Sequence, residues 1–516
     1  MNNKNSKSDN LFETSVGSPS IKLSNPTINL LKNAAQRKTM KTPEHSKANK
    51  TKKYIPYNQR RNNTSNHIAK VKAYTHGKYK KHTRYSIKRH PDYLEKLINT
   101  YYDNDTCVSK YLASAHRKSH ILPPARRIIV IGDIHGDFDA AVKCLILAEC
   151  IAPIESPEIK SIENMDSFFK SLVWTGGDTQ VVQLGDQIDR VRPRRWDRNL
   201  ISQTEAHDDE GSTLEIFYLF WHLNQLAQQA KPTPGAVHCI IGNHEIMNVE
   251  GDFSYVSSAE FHSFKHHLAH VYYPNSKYPY HSRTLHNTRQ TRKSKGLPVG
   301  YRERLYAFSP TGLCSNFMAQ NYYTLLQIGN WLFCHGSPTL STLATYEIDL
   351  INTITAMYLL GLESHSYSNS SNNINSGRNS SIEYHFDRIM NNDASSQEPT
   401  SLIWSRTFGE IQPISPPREL SHMLDTILAT YNKKNNNMSI QNTATHIAVG
   451  HTPQIHNNKQ LGINSICNGR VWRCDVGMSK AFTNKDDANN QNNIAKKRKI
   501  QVLEILDNKP RIITSS

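Results

Sequence analysis

Six residues stand just past short apolar runs: Asp133, His135, Asp186, Asn243, His335 and His451. They supply two carboxylates, one amide and three imidazoles, with no thiol. That set suits borderline divalent ions such as Mn, Fe, Zn or Co. One site cannot use six protein donors and keep a position open for a substrate. Two sites sharing a carboxylate can, at the roughly 3.5–4 Å separation of two-metal hydrolases. Such a pair activates water near neutral pH and clamps phosphate oxygens during in-line displacement. Asn243 is a neutral oxygen donor, so it limits negative charge where an anion must approach.

Strands must place these donors, because ligands of open α/β sheets gather beyond the carboxyl ends of strands. The apolar runs Ile128–Ile131, Val181–Leu184, Ala236–Ile241, Tyr322–Ile328, Trp331–Cys334 and His446–Val449 predict them, with Gly329-Asn330 turning one pair. Val471–Val476, Gln501–Leu506 and Arg511–Thr514 read as closing strands, the last two joined by Asp507–Pro510. Helical spacing predicts helices over Phe138–Cys150, Thr213–Ala230, Thr345–Leu360 and Leu420–Tyr431. Residues 151–177 read as irregular. Residues 247–320 turn rich in His, Tyr and Lys and read as an insertion over the mouth of the site. Their histidines (262, 266, 267, 270, 281, 286) are irregularly spaced, which favours surface groups over ligands.

Charge is unevenly held. Residues 1–120 carry 25 Lys+Arg against 7 Asp+Glu, the whole net charge of +18, and residues 121–516 carry 37 of each. The first stretch reads as a basic, largely disordered arm with one short helix near 91–102 starting after Pro91. Its interleaved tyrosines and cations around Tyr74–Arg89 open the alternative of nucleic-acid contact. Residues 121–516 form the second unit, broken by a Ser/Asn-rich loop at 364–381 that is expected to be disordered. The eight cysteines form no CxxC pair, and Cys144, Cys239 and Cys334 lie in apolar runs as reduced buried thiols would. With no membrane-length apolar run and no secretory leader, the chain is expected to be soluble and intracellular, cytoplasmic or nuclear, without membrane contact. Lys496–Lys499 resembles a short nuclear import signal, a run that more often lies on solvated surface.

Gly132 to Gly136 (Gly-Asp-Ile-His-Gly), Gly185 to Arg190 (Gly-Asp-Gln-Ile-Asp-Arg), Gly242 to Glu245 (Gly-Asn-His-Glu), His335-Gly336 and Gly450 to Pro453 (Gly-His-Thr-Pro) occur in that order. The series resembles the calcineurin-like metallophosphoesterases, and within them the phosphoprotein phosphatases. Trp174 to Gly177, Glu245 to Asn248 and Asp475 to Ser479 look most like the Shewanella-like branch. The resemblance spans roughly residues 126–515. It implies an α/β fold of two mixed β-sheets packed as a sandwich and flanked by helices. It implies two divalent metal ions (Mn, Fe or Zn): Asp133 and His135 on the first, Asp186 bridging, and Asn243, His335 and His451 on the second.

By the same resemblance His244 protonates the leaving oxygen, Asp189 orients that imidazole, and Arg190 and Arg406 bind phosphate oxygens. The implied reaction is phosphomonoester hydrolysis by direct attack of a metal-bound water on a phosphorylated protein (Ser/Thr or Tyr). A bis(5'-nucleosyl)-tetraphosphatase-like nucleotide phosphoesterase and an inactive phosphatase-fold binding protein are the alternatives. Glu245 reads as a supporting or helix-capping group, and Asp475 as either a histidine's partner or a strand-end turn. Two departures stand out: Val191 and Ser337 occupy positions where the family usually has Gly.

Overall fold

The computed structural model describes residues 91–114, 119–154, 162–192, 209–268, 297–362, 381–391, 400–411, 417–435, 442–457, 459–482 and 498–515. The basic arm 1–90, most of the Ser/Asn loop, Lys496-Lys497 and His270, His281 and His286 lie outside the described residues.

Fourteen strands are described. In chain order they are β1 (Ile121–Leu122), β2 (Arg127–Ile131), β3 (Gln180–Gln183), β4 (Ala236–Ile240), β5 (Tyr322–Tyr323), β6 (Leu325–Ile328) and β7 (Trp331–Cys334). There follow β8 (His446–Val449), β9 (Ile455–His456), β10 (Lys459–Gln460), β11 (Asn464–Ile466), β12 (Val471–Arg473), β13 (Gln501–Leu506) and β14 (Lys509–Thr514). Two six-stranded mixed sheets hold all but β9 and β10, in the orders β14-β13-β2-β3-β4-β5 and β1-β6-β7-β8-β12-β11. One continuous apolar core joins side chains of both sheets with the helices around them. The α/β sandwich expected from the sequence is the architecture observed.

Register is what aligns the chemistry. In the first sheet β2, β3 and β4 run parallel with Ile131 opposite Gln183 and Gln183 opposite Cys239. Their carboxyl ends are therefore level, and Asp133, Asp186 and Asn243 emerge together. In the second sheet β7 and β8 are parallel with Cys334 opposite Val449, which brings His335 and His451 out side by side. Strands β2, β3 and β7 are buried along nearly their whole length, as central strands covered on both faces must be. The expected Gly329-Asn330 turn joins antiparallel β6 and β7. Asp507 and Asn508, both at positive φ, turn β13 into β14.

The ordered body starts earlier than Pro123-Pro124. Helix Asp92–Tyr101 has Asp92 and Glu95 in its first turn, where the dipole favours them, and buries Tyr93, Leu94, Leu97 and Tyr101. Its partner, Asn104–Ser114, mixes polar and apolar residues without a strong period and was not expected. Both pack into the main core, with Tyr101 edge-on to Trp221 and Phe317 and the Tyr93 hydroxyl donating to Glu215 over 2.6 Å. The insertion also differs from expectation. It contains the helices Ser258–Leu268, Tyr301–Phe308 and Leu313–Asn321, and His267 is buried beside Glu215 (3.6 Å), not on the surface. The segment 151–177 likewise holds a helix, Ile162–Ser171.

Glu504 on β13 is almost wholly buried and bridges Arg127 of β2 (2.6 Å) and Arg511 of β14. Burial pushes its carboxyl up, but the two guanidiniums outweigh burial and hold it below the ordinary value. A depressed carboxylate stabilises the fold above its unfolded pKa, about 4.3, and that contribution disappears as pH falls through the lower folded value. Glu504→Gln is expected to lower unfolding free energy by about 2 kcal/mol at pH 7, because Arg127 is left without its buried partner. Urea melts should show the gap from the parent closing as the pH drops below 4. A gap unchanged with pH would remove the ion pair from the account.

Candidate metal centre

The first ligand turn is stitched to the second by backbone. Ile134 and His135 donate their amides to the carbonyl of Asp186 at 3.0 and 2.9 Å, and His135 and Asp186 both adopt positive φ. Such strained turns are held only where surrounding bonds over-determine them. Glu245 supplies those bonds from below. Its carboxylate accepts the amides of Gly242 (2.7 Å), Asp186 (3.0 Å) and Gln187 (2.9 Å), capping its own helix and fixing the Asp186 loop at once. Gly242 must be glycine, since a Cβ there would collide with Asp186.

The side chains converge. His335 Nδ1 donates to the Leu184 carbonyl at 2.7 Å, leaving Nε2 aimed at Asp186 Oδ1 (3.2 Å) and Asn243 Oδ1 (2.9 Å). His135 Nε2 stands 4.0 Å from carboxylate oxygens of both Asp133 and Asp186. The amide of His451 donates to Asp133 Oδ2 at 3.0 Å, and its ring is 5.1 Å from that of His335. Two donor clusters have metal-site dimensions, His135–Asp186–His244 and Asp186–His335–His451, and Asp186 belongs to both. All six residues singled out as ligands are buried at this one place. His244, read as an acid, falls inside the first cluster, while Asp133 lies at its edge.

The electrostatics describe a crowded anionic pocket. Burial, Asp475 and Asp186 push the Asp133 carboxyl well up. Burial and Asp186 raise Glu245 to about 7, and burial and Asp186 raise Asp475 to about 6. Against burial, the imidazoles of His335 and His244 hold Asp186 well below the usual carboxylate range. Burial with neighbouring cations lowers His135 and His451 strongly, keeping them in the neutral form that ligates. His451 Nε2 and Asp475 Oδ2 are buried with no hydrogen-bond partner. Orphaned donors, clustered carboxylates and neutral imidazoles fit a bound cation, which would satisfy all three.

Supporting residues divide. His244 Nδ1 lies 2.9 Å from Asp189 Oδ2, and its Nε2 is 3.8 Å from Asp186 Oδ2. The Arg190 guanidinium is fully enclosed beside Asp137 (3.8 Å) and Glu210 (3.5 Å). Arg406 is exposed on a turn, close enough for its charge to depress His451. Asp475 accepts the Gly477 amide at 3.0 Å, the strand-end turn of the two alternatives. Ser337, one of the departures, accepts the Phe408 amide (2.8 Å) and donates its own amide to Ser405 (2.7 Å). It thus ties the His335 loop to the segment carrying Arg406.

Sequence reasoning missed Arg192. Its guanidinium donates to the carbonyls of Asp189 (3.0 Å) and Val191 (2.8 Å) and lies over Phe482 (4.9 Å) and Tyr255 (5.7 Å). Its Nη2 is buried without a partner, and its charge reaches His135, Asp186 and Asp475. The available signal was its place two residues after Arg190, in the same turn.

Residues 126–379 match the sequence model of the family described as "Calcineurin-like phosphoesterase". The match takes in the first four of the five motifs. The chain is 27% identical over 368 residues to Shewanella-like protein phosphatase 2 of Arabidopsis thaliana, covering 69% of this chain and 72% of the relative. It is 24% identical over 359 residues to Shewanella-like protein phosphatase 1 of Plasmodium berghei, covering 69% and 68%. A solved cold-active protein-tyrosine phosphatase of a psychrophilic Shewanella species superposes with a TM-score of 0.38 at 17% identity, over 77% of this chain and 82% of that one. Among the described residues no helix is long and apolar enough to cross a membrane.

Proposed function

We propose that the chain is a dimetal phosphatase that hydrolyses phosphomonoesters, with phosphorylated proteins as substrates. The observation that carries this is one carboxylate, Asp186, shared by two donor clusters, beside a buried His451 nitrogen that nothing else satisfies. Asp133, His135 and Asp186 would hold one divalent cation, and Asp186, Asn243, His335 and His451 the other. When bound, such a pair makes water nucleophilic at neutral pH and neutralises phosphate oxygens during in-line displacement.

The chain's own groups do the rest. Asp189 is an acceptor-only carboxylate, so the His244 nitrogen facing it (2.9 Å) carries a hydrogen and the opposite nitrogen is directed into the pocket. As the bond from phosphorus to the leaving oxygen breaks, His244 gives that oxygen a proton; the proton lost by the attacking water restores the imidazole. Arg192, whose Nη2 has no partner, would receive phosphate oxygens alongside Arg190 and Arg406. The relatives' printed names support a phosphoprotein substrate.

Purified protein with added manganese should turn over p-nitrophenyl phosphate and phosphopeptides, with about two metal ions per chain by elemental analysis. Turnover of diadenosine tetraphosphate alone would replace the protein substrate by a nucleotide. A metal-free chain without turnover after reconstitution would sink the hydrolase reading. Arg192→Ala is expected to raise KM for p-nitrophenyl phosphate about tenfold, the effect of losing one charge-assisted contact of about 1.4 kcal/mol. A KM unchanged in steady-state kinetics would leave phosphate binding to Arg190 and Arg406.

A further inference from the structure

We infer that Arg304, from the insertion between the third and fourth motifs, is a positioning residue for the proton donor His244, acting through Asp189. This rests on the reading of His244 given above. Helix Tyr301–Phe308 places the Arg304 guanidinium wholly inside the protein, over the rings of Phe264 (4.9 Å) and Phe308 (5.1 Å). Three of its nitrogens have separate partners. Nη2 donates to Asp189 Oδ1 at 3.0 Å, Nε to Asn248 Oδ1 at 2.7 Å and Nη1 to Thr213 Oγ1 at 3.2 Å.

The network closes on the catalytic side. Asn248 Nδ2 donates to Asp189 Oδ2 (2.9 Å) and to the His244 carbonyl (2.9 Å), while His244 Nδ1 faces the same Oδ2 at 2.9 Å. From the neighbouring helix Ser258–Leu268, Glu260 accepts the amides of Asp189 (3.0 Å) and Arg190 (3.1 Å) and sits 3.9 Å from Arg304 Nη2. The insertion therefore holds Asp189 twice, by backbone and by carboxylate.

The physical reason lies in the aspartate. Its terminal torsion is broad and two-fold, so only partners fix which oxygen faces which neighbour. Arg304 takes Oδ1, and the imidazole shares Oδ2 with the Asn248 amide, which also reaches Oδ1 at 3.0 Å. It also balances an enclosed anion that would otherwise be costly to bury. An arginine suits this place better than lysine, because three fixed donors reach three acceptors in one plane while aromatic faces cover the cation. The histidine's hydrogen then stays on Nδ1 and its other nitrogen stays directed at the leaving group.

The test uses full-length, manganese-loaded protein and two substrates that differ in how much they need a proton. Phenyl phosphate has a basic leaving oxygen; p-nitrophenyl phosphate does not. Arg304→Ala is expected to cut kcat on phenyl phosphate about a hundredfold but on p-nitrophenyl phosphate less than about tenfold, with KM little changed. Arg304→Lys should recover part of the difference. The pair Arg304→Ala, His244→Asn should be no worse on phenyl phosphate than His244→Asn alone, since both act on one proton transfer. Equal losses on the two substrates, or losses that multiply in the pair, overturn the proposal.

A second readout separates this inference from the reading beneath it. In zinc-loaded protein labelled with 15N-histidine, the Nδ1–H signal that disappears in His244→Asn should also weaken in Arg304→Ala. A full signal in Arg304→Ala overturns the positioning role whatever the kinetics show. If His244→Asn leaves the ratio of the two substrates unchanged, the proton-donor assignment alone falls, and Arg304 is judged on the signal. Should Arg304→Ala fail to fold, the same ratio and signal are read in Arg304→Lys, where no change overturns the inference.

Discussion

Asp186→Asn should reduce p-nitrophenyl phosphate turnover at least about a thousandfold, a loss of about 4 kcal/mol of transition-state stabilisation. The substitution is nearly isosteric, so the fold is spared. What it removes is the one anion common to the His135–His244 and His335–His451 clusters. An amide offers one oxygen and one NH2, so it cannot present negative oxygens to both sides. It also withdraws the charge that keeps the His335 imidazole higher than burial alone would leave it. Elemental analysis should find fewer metal ions per chain than in the parent, while the far-ultraviolet circular dichroism stays the same. Parent-like metal content with turnover within tenfold would show that the two clusters do not share a bridging group.

His244→Asn is the second large effect. With a leaving oxygen as basic as that of a serine phosphopeptide, kcat should fall about 10²- to 10⁴-fold, the span typical of lost general acid catalysis. Metal content should stay near the parent value if the six expected ligands are the true set. The structure makes that readout informative, because His244 shares a cluster of metal-site dimensions with His135 and Asp186. A parallel loss of metal would convert His244 from proton donor to ligand and leave Asp133, at the cluster's edge, to be reassigned.

The donors were legible in the sequence because each is local to a strand end. Asp133, Asp186, Asn243 and His451 follow an apolar run and a glycine, and register then brings the runs level. Nothing comparable marks Arg304. The stretch Tyr-Arg-Glu-Arg-Leu-Tyr-Ala-Phe carries three charges in four residues and reads as a solvated face, yet Glu303 and Arg304 are both buried. Their partners, Lys265 for one and Asp189, Asn248 and Thr213 for the other, lie 38 to 115 residues away in sequence, beyond any local pattern. The helix Ser258–Leu268 was hidden for a related reason. Histidines dominate its last turn and suggest surface, but Phe261, Phe264 and Leu268 form the buried stripe. Helix Asn104–Ser114 hides because only Cys107, Val108 and Tyr111 of its eleven residues are buried.

Because Asp133, Asp186 and Asn243 leave one sheet and His335 and His451 leave the other, the pocket exists only along the seam between them. A cation held by Asp186, Asn243, His335 and His451 would fasten the layers to each other, and neither could come apart without letting it go. Ligand linkage would then give such an ion a mechanical role besides the proposed chemical one. At a free concentration a hundred times its Kd, a single bound ion adds about 2.7 kcal/mol to the stability of the whole assembly. Chelation should therefore lower the melting temperature as well as silence turnover.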